Sequence, residues 1–220
     1  MGSQTDSIVE HIVKRIEDGT LVPGDVLEEK ALVSDYAVSR TPVREAILQL
    51  DAVGILRRKP RGGAEVFKPS LEEFLAIMEV HAKLEGHAAG LAARRLSVDD
   101  AKALEAACNA CDAHVLAHGN AMPDAYYQHN LLFHKTVGIA AHNPVLLDMI
   151  KTNARKLIAY YRARYRYKDS IPKSAAEHRK LAALILDRDS VGAEALMVEH
   201  VMFDSVTAMD LIAVLSRKTD

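Results

Sequence analysis

The chain has 220 residues, 49% of them hydrophobic and 26% charged, with a formal net charge of −2. That balance supports a real core in one large or two small domains, and no run of about 18 apolar residues is present to cross a bilayer. Two cysteines cannot build a disulfide framework and the N-terminal MGSQTDSIVE lacks a basic region followed by an apolar stretch, so a cytoplasmic protein is expected.

Ile8, Ile12, Val13 and Ile16 recur at helical spacing, and Gly19 ends that helix. LVPGD forms a turn, and a short helix follows over about residues 28–34. Either Ser39 or Thr41 could cap a third helix. Thr41 is favoured because Pro42 then takes the first helical position. Val43, Ala46, Ile47 and Leu50 face inward, which leaves Arg40 and Arg44 together on the free face at the helix start. After Gly54, ILRRKPRGGAEVFKP has the pattern of a two-stranded ribbon turning at Gly62-Gly63, with Arg57, Arg58, Lys59 and Arg61 crowded on it.

Charge is distributed unevenly along this region. Residues 1–39 carry a net of −5, residues 40–68 a net of +4, and the remainder a net of −1. A local basic block in a neutral chain is a footprint for an anionic partner, although a solvated basic loop has the same composition. Three helices and a hairpin make a winged helix-turn-helix. Arginines at the start of its third helix can reach base edges in the major groove or clamp phosphates.

Pro69 and Ser70 mark the change to a second domain, with the boundary between 1–69 and 70–220; nine of the ten histidines follow it. From there every segment has helical character. Breaks at Ser97, Gly119-Asn120, Asn143-Pro144, Pro172 and Asp189 divide it into six helices, the fourth reaching about residue 168 and the last running past Leu211. The expected fold class is mainly α, a winged helix followed by an all-α six-helix bundle.

Asn130 and His134, four apart on one helix, together with His178 and His200 on two others, could surround a metal ion inside such a bundle. Imidazole donors suit zinc, nickel, copper or iron. Packed core histidines would have the same spacing. His81 lies on the apolar stripe Phe74–Ile77–Leu84–Ala88, and Asn153 lies on the stripe Leu146–Met149–Leu157–Tyr160, where a buried amide needs a partner that a ligand or an interhelical hydrogen bond could supply. Cys108, Cys111, His114 and His118 have a zinc-like spacing, but a straight helix cannot wrap four side chains around one tetrahedral centre. Seven basic residues and four tyrosines over residues 151–168 could be a second nucleic-acid surface, a solvated face or a dimer contact. Three histidines with an open position also describe catalytic zinc. However, Glu177 and Glu199, adjacent to the candidate ligands, point away from them, so no enzyme is expected.

VPGDVLEEKALVSDYAVSRTPVREAILQLDAVGILRRKPRGGAEV closely resembles the DNA-binding domain of the GntR family of bacterial transcriptional regulators, over about residues 8–68. The resemblance implies that Arg40 and Arg44 contact bases, that Thr41 contacts the DNA backbone, and that Gly62-Gly63 enters the minor groove beside Arg57, Arg58 and Lys59. FHKTVGIAAHNPVL, AEHRKLAALILDRD and EALMVEHV resemble the FCD ligand-binding domain of the FadR subfamily, and six helices are most similar to its VanR-like branch. That likeness implies a divalent metal, zinc or else nickel, held by Asn130, His134, His178 and His200, with Asn130 where an Asp is common. It also implies a small organic acid effector, with His81 where the family often has Arg, a homodimer on double-stranded palindromic operator DNA, and repression relieved by ligand.

Overall fold

The computed structural model describes residues 3–60 and 62–202. The expected continuation of the last helix, together with Phe203 and Arg61, lies outside the described residues. The chain divides into two compact units, Met1–Ser70 with Ala154–Ala159, and Leu71–Asn153 with Tyr160–Asp220.

The first unit holds α1 (Gln4–Glu17), β1 (Val26–Leu27), α2 (Glu29–Tyr36), α3 (Arg40–Ala52), β2 (Leu56–Arg58) and β3 (Ala64–Val66). Ser3 and Asp6 close a reciprocal capping box on α1, satisfying donors at its open end. The apolar stripe of α1 packs on that of α3, and Ile8, Ile12, Val43, Ala46, Ile47 and Leu50 are buried. Helix α2 runs two residues beyond the expected end and stops where Ala37 turns left-handed, at φ 51°. The cap of α3 is Ser39, so the expected cap at Thr41 is wrong. Pro42 sits third in the helix, still within the first turn, where no backbone N–H is needed and proline does no harm. The three strands form an antiparallel sheet in the order β1-β3-β2. β1 is two residues long, too short to carry an alternating pattern. At the wing tip Gly63 has φ 77°, and a Cβ there would run into the carbonyl oxygen of Leu27. Only glycine combines that backbone angle with that approach.

The second unit holds α4 (Leu71–Arg95), α5 (Val98–His118), α6 (Pro123–Ala140), α7 (Pro144–Arg164) except for Ala154–Ala159, α8 (Ser170–Leu186) and α9 (Ser190–Val201). Ser97 and Asp100 close a capping box on α5, and the side chains of Asn143 and Asp189 cap α7 and α9. Helix α7 ends at Arg164, earlier than expected, and α8 opens at Ser170 with Pro172 in its first turn. Phe74, Leu104, Tyr126, Phe133 and Ile171 are buried in the core of this unit. Among the described residues no helix is long and apolar enough to cross a membrane.

Helix α4 lies along α9 over most of the latter's length. Gly86 and Gly90, one turn apart on α4, permit this. A Cβ on Gly86 would lie 3.0 Å from the carbonyl oxygen of Glu194, and one on Gly90 would lie 2.8 Å from Oε2 of Glu194. Gly86→Leu should therefore cost on the order of 1–3 kcal/mol by overpacking, or separate the helices. Urea unfolding measures this, and an unchanged midpoint would show that α9 yields freely.

Candidate functional sites

Helix α3 presents Arg40, Thr41 and Arg44 to solvent at its start, on the face left free by the buried stripe. Nε of Arg44 donates to Oε1 of Glu29 on α2 at 2.9 Å, yet the Arg44 side chain is 62% exposed, so its terminal nitrogens are free to meet a ligand. Arg57, Arg58 and Lys59 are exposed on the wing. Arg57 lies over the Phe67 ring at 5.5 Å, and Lys59 Nζ is 3.4 Å from Glu65 Oε2. The amide of Arg58 donates to Asp51, tying β2 to α3, and at the wing tip the Lys59 amide donates to the Gly63 carbonyl and the Gly62 amide to the Lys59 carbonyl. Glu29, Arg44, Leu48, Arg58, Lys59 and Gly62 line a groove of about 550 Å³ between α3 and the wing. Of the residues expected at this face, Arg44, Arg58, Lys59, Gly62 and Gly63 line the groove, whereas Arg40, Thr41 and Arg57 are exposed but are not among its lining residues. Sequence reasoning missed Glu29, whose only signal was its place at the start of α2.

In the second unit α6, α8 and α9 bring His134, His178 and His200 together. Nε2 of His200 lies 3.1 Å from Nε2 of His178 and 3.3 Å from Nε2 of His134. The outer nitrogens are engaged elsewhere: His134 Nδ1 with Glu85 at 3.4 Å, His200 Nδ1 with Glu177 at 2.7 Å, and His178 Nδ1 with the Cys111 sulfur at 3.5 Å. Phe133 stacks on the His178 ring, fixing its plane.

Glu85 is wholly buried on α4. Burial raises its pKa, but the hydrogen bond and charge of His134, with His81 and His200, outweigh this and hold it below the usual range. Glu177 follows the same logic through His200. Ionised carboxylates only accept hydrogen bonds, so Nδ1 of both His134 and His200 must carry the proton. In the neutral rings their Nε2 lone pairs then face each other at 3.3 Å, and His178, whose Nε2 lies 3.1 Å from that of His200, is the ring left to place a proton among the three. Burial pushes the His200 pKa down to about 4, and burial with the two neighbouring imidazoles holds His178 well below the ordinary value. A cation suits that arrangement. For zinc–nitrogen bonds of about 2.0–2.1 Å, tetrahedral donors stand roughly 3.3–3.4 Å apart, close to the spacing found.

The remaining candidates divide. Asn130 is buried one turn before His134, and its Oδ1 accepts from the Tyr165 hydroxyl at 2.8 Å, which leaves one lone pair. His81 joins the cluster through Glu85, 3.6 Å from its Nε2, while its buried Nδ1 has no hydrogen-bond partner. Burial lowers its pKa. Asn153 is only half-buried and makes no hydrogen bond to the histidine group; Met149 on the same expected stripe is exposed, so that stripe does not face inward throughout. Glu177 does point away from His178, as expected, but reaches His200 on a different helix. Neither it nor Glu85 was foreseen as a partner, because spacing within one helix says nothing about the helix opposite. The zinc-like motif lies within continuous α5. There Cys111 faces His178, and His114 bonds the carbonyl of Ala121.

The fold is that of a winged-helix DNA-binding regulator with a second, helical unit. Residues 4–66 match the bacterial regulatory proteins of the gntR family and residues 76–203 match the FCD domain. The chain belongs to the FCD-containing branch of the gntR family of bacterial transcriptional regulators, and it is not an enzyme. It is 27% identical over 213 residues to the HTH-type transcriptional regulator YcbG of Bacillus subtilis, spanning 89% of this chain and 86% of that one. It is 27% identical over 199 residues to the HTH-type transcriptional repressor GlaR of Escherichia coli, spanning 84% and 86%. The E. coli McbR/YncC structure shares the fold with a TM-score of 0.78 at 22% identity, covering 100% of both chains.

Burial pushes the Cys108 thiol up to about 11 and the Cys111 thiol up to about 12. At about pH 8 a disulfide thiol reagent should modify neither in the folded protein and both after denaturation, because the thiolate is the reactive form. Rapid native-state labelling would show that α5 opens.

Proposed function

We propose that this regulator binds a palindromic operator as a homodimer and represses transcription until a small carboxylate, bound beside a divalent metal, releases it. Residues 1–69 form the DNA-binding domain and residues 70–220 the metal-binding, effector-binding and dimerisation domain of a cytoplasmic protein. Arg40 and Arg44 read bases, Thr41 contacts the DNA backbone, and Arg57, Arg58 and Lys59 grip phosphates while Gly62 and Gly63 carry the wing into the minor groove.

The observation that carries the sensing half of this reading is the convergence of the Nε2 atoms of His134 and His178 on that of His200, at 3.3 and 3.1 Å. His134, His178, His200 and the free lone pair of Asn130 would hold zinc or nickel. When bound, the ion supplies a positive centre to which an anionic oxygen binds. Glu85 and Glu177 fix the histidine tautomers, and their charges offset much of the ion's charge, so the site is less positive than the neutral Asn130 alone implies. The unpartnered Nδ1 of His81 is available to an effector carboxylate, and Asn153 is a more distant candidate. Effector binding then shifts the population between operator-competent and incompetent states.

His200→Ala should sharply reduce bound zinc measured by equilibrium dialysis and elemental analysis, since too few donors remain. Thermal-shift screening of carboxylates against zinc-loaded protein tests the effector: a ligand at about 100 times its dissociation constant adds about 2.7 kcal/mol. Loss of that shift on chelation supports direct contact with the ion. A shift that survives chelation assigns the ion a structural role, the one alternative reading. On DNA, Arg44→Ala should cost on the order of 1–3 kcal/mol on a selected duplex and little on random duplex. Equal weakening on both would make Arg44 a phosphate contact.

A further inference from the structure

An acid stands inside the groove of the basic face. Among the described residues lining the groove between α3 and the wing, Glu29 is the single carboxylate. An acid beside a polyanion costs general affinity, so its presence calls for a specific role.

Its surroundings supply one. Glu29 is the first residue of α2, where the helix dipole favours a carboxylate, and its side chain is 17% exposed against 62% for Arg44. The acid is therefore the fixed partner and the arginine the projecting one. Oε1 takes the Nε–H of Arg44 at 2.9 Å. Oε2 is directed toward the wing, 4.0 Å from where a Cβ on Gly62 would stand. With Nε occupied, Arg44 keeps only the two terminal nitrogens for DNA. That paired edge matches the O6 and N7 acceptors of guanine.

We propose that Glu29 is a positioning residue for operator recognition: it clamps Arg44 by Nε so that the paired end of the guanidinium meets a guanine, and it narrows the choice of base at that contact. The inference rests on the base-reading role given to Arg44. Without the clamp, a long free side chain samples phosphate and base contacts alike, and discrimination is lost through the rotamer freedom regained. Glu29 thus lowers general DNA affinity while raising selectivity.

The test uses the full-length protein, a duplex enriched from a randomised double-stranded library, its single-base-pair variants, and random duplex as the non-specific probe. Glu29→Ala should lower discrimination at one symmetry-related base pair by roughly tenfold, the scale of one bidentate contact, and leave random-duplex binding equal or tighter. Glu29→Gln, which keeps an acceptor without the charge and preserves shape should alanine unfold the chain, should fall between. In an Arg44→Ala background, Glu29→Ala should change discrimination less than about twofold. Uniform weakening on every duplex would overturn the proposal, and so would an undiminished Glu29→Ala effect in that background, which would mean that Glu29 touches a base itself. If the library enriches no sequence, the operator reading fails. If it enriches one that Arg44→Ala reads as well as wild type, the operator reading survives and this inference falls.

Discussion

The close approach of α4 and α9 is the constraint on which the second unit depends. It rests on the absence of two side chains, at Gly86 and Gly90, where any Cβ would strike the backbone or side chain of α9. Interiors pack near crystal density, so a helix pair set this close can hold the groups it carries to fractions of an ångström. α9 brings His200, and α4 brings His81 and Glu85. The glycine face and the histidine cluster are one arrangement seen from two sides: Glu85 immediately precedes Gly86, so the close contact and the buried carboxylate share one turn of helix.

Three imidazoles and a carboxylate removed from water are costly unless each polar atom has a partner. Most of the cost is met by pairing across elements. Glu85 accepts from His134, Glu177 from His200, and Tyr165 donates to Asn130. Among the described residues of this unit, Nδ1 of His81 and the Tyr126 hydroxyl are left without a hydrogen-bond partner, and the three Nε2 atoms of the cluster have only one another. Buried polar groups with no partner are rare in folded proteins and concentrate where something else binds. The polar interior is therefore paired across helices at its rim, and at its centre three imidazoles converge.

The DNA-facing unit works under opposite conditions. Its arginines stand in water, where an ion pair such as Arg44–Glu29 contributes little to stability. Its value lies in orientation. The fold there is maintained by the apolar stripes of α1 and α3 and by the turn at Gly63, which leaves the charged face free to be shaped for recognition alone.

Local chemistry made much of this legible in the sequence. Helical periodicity placed Ile8, Ile12, Val43 and Ile47 in the core, glycines and prolines marked most helix ends, and the i, i+4 spacing put Asn130 and His134 on one face. The basic block at residues 40–68 and the Gly62-Gly63 turn were equally visible, because charge and positive φ belong to single residues. The errors were also local. The cap of α3 falls at Ser39 because proline is tolerated throughout a first turn, and β1 is too short to have a period. What only the tertiary structure decided are the partners across elements: Glu29 for Arg44, Glu85 for His134, Glu177 for His200, and Cys111 for His178. Each joins residues on different helices, from 15 to 67 positions apart in the chain. Spacing along one helix fixes which way a side chain points; only packing fixes what it meets.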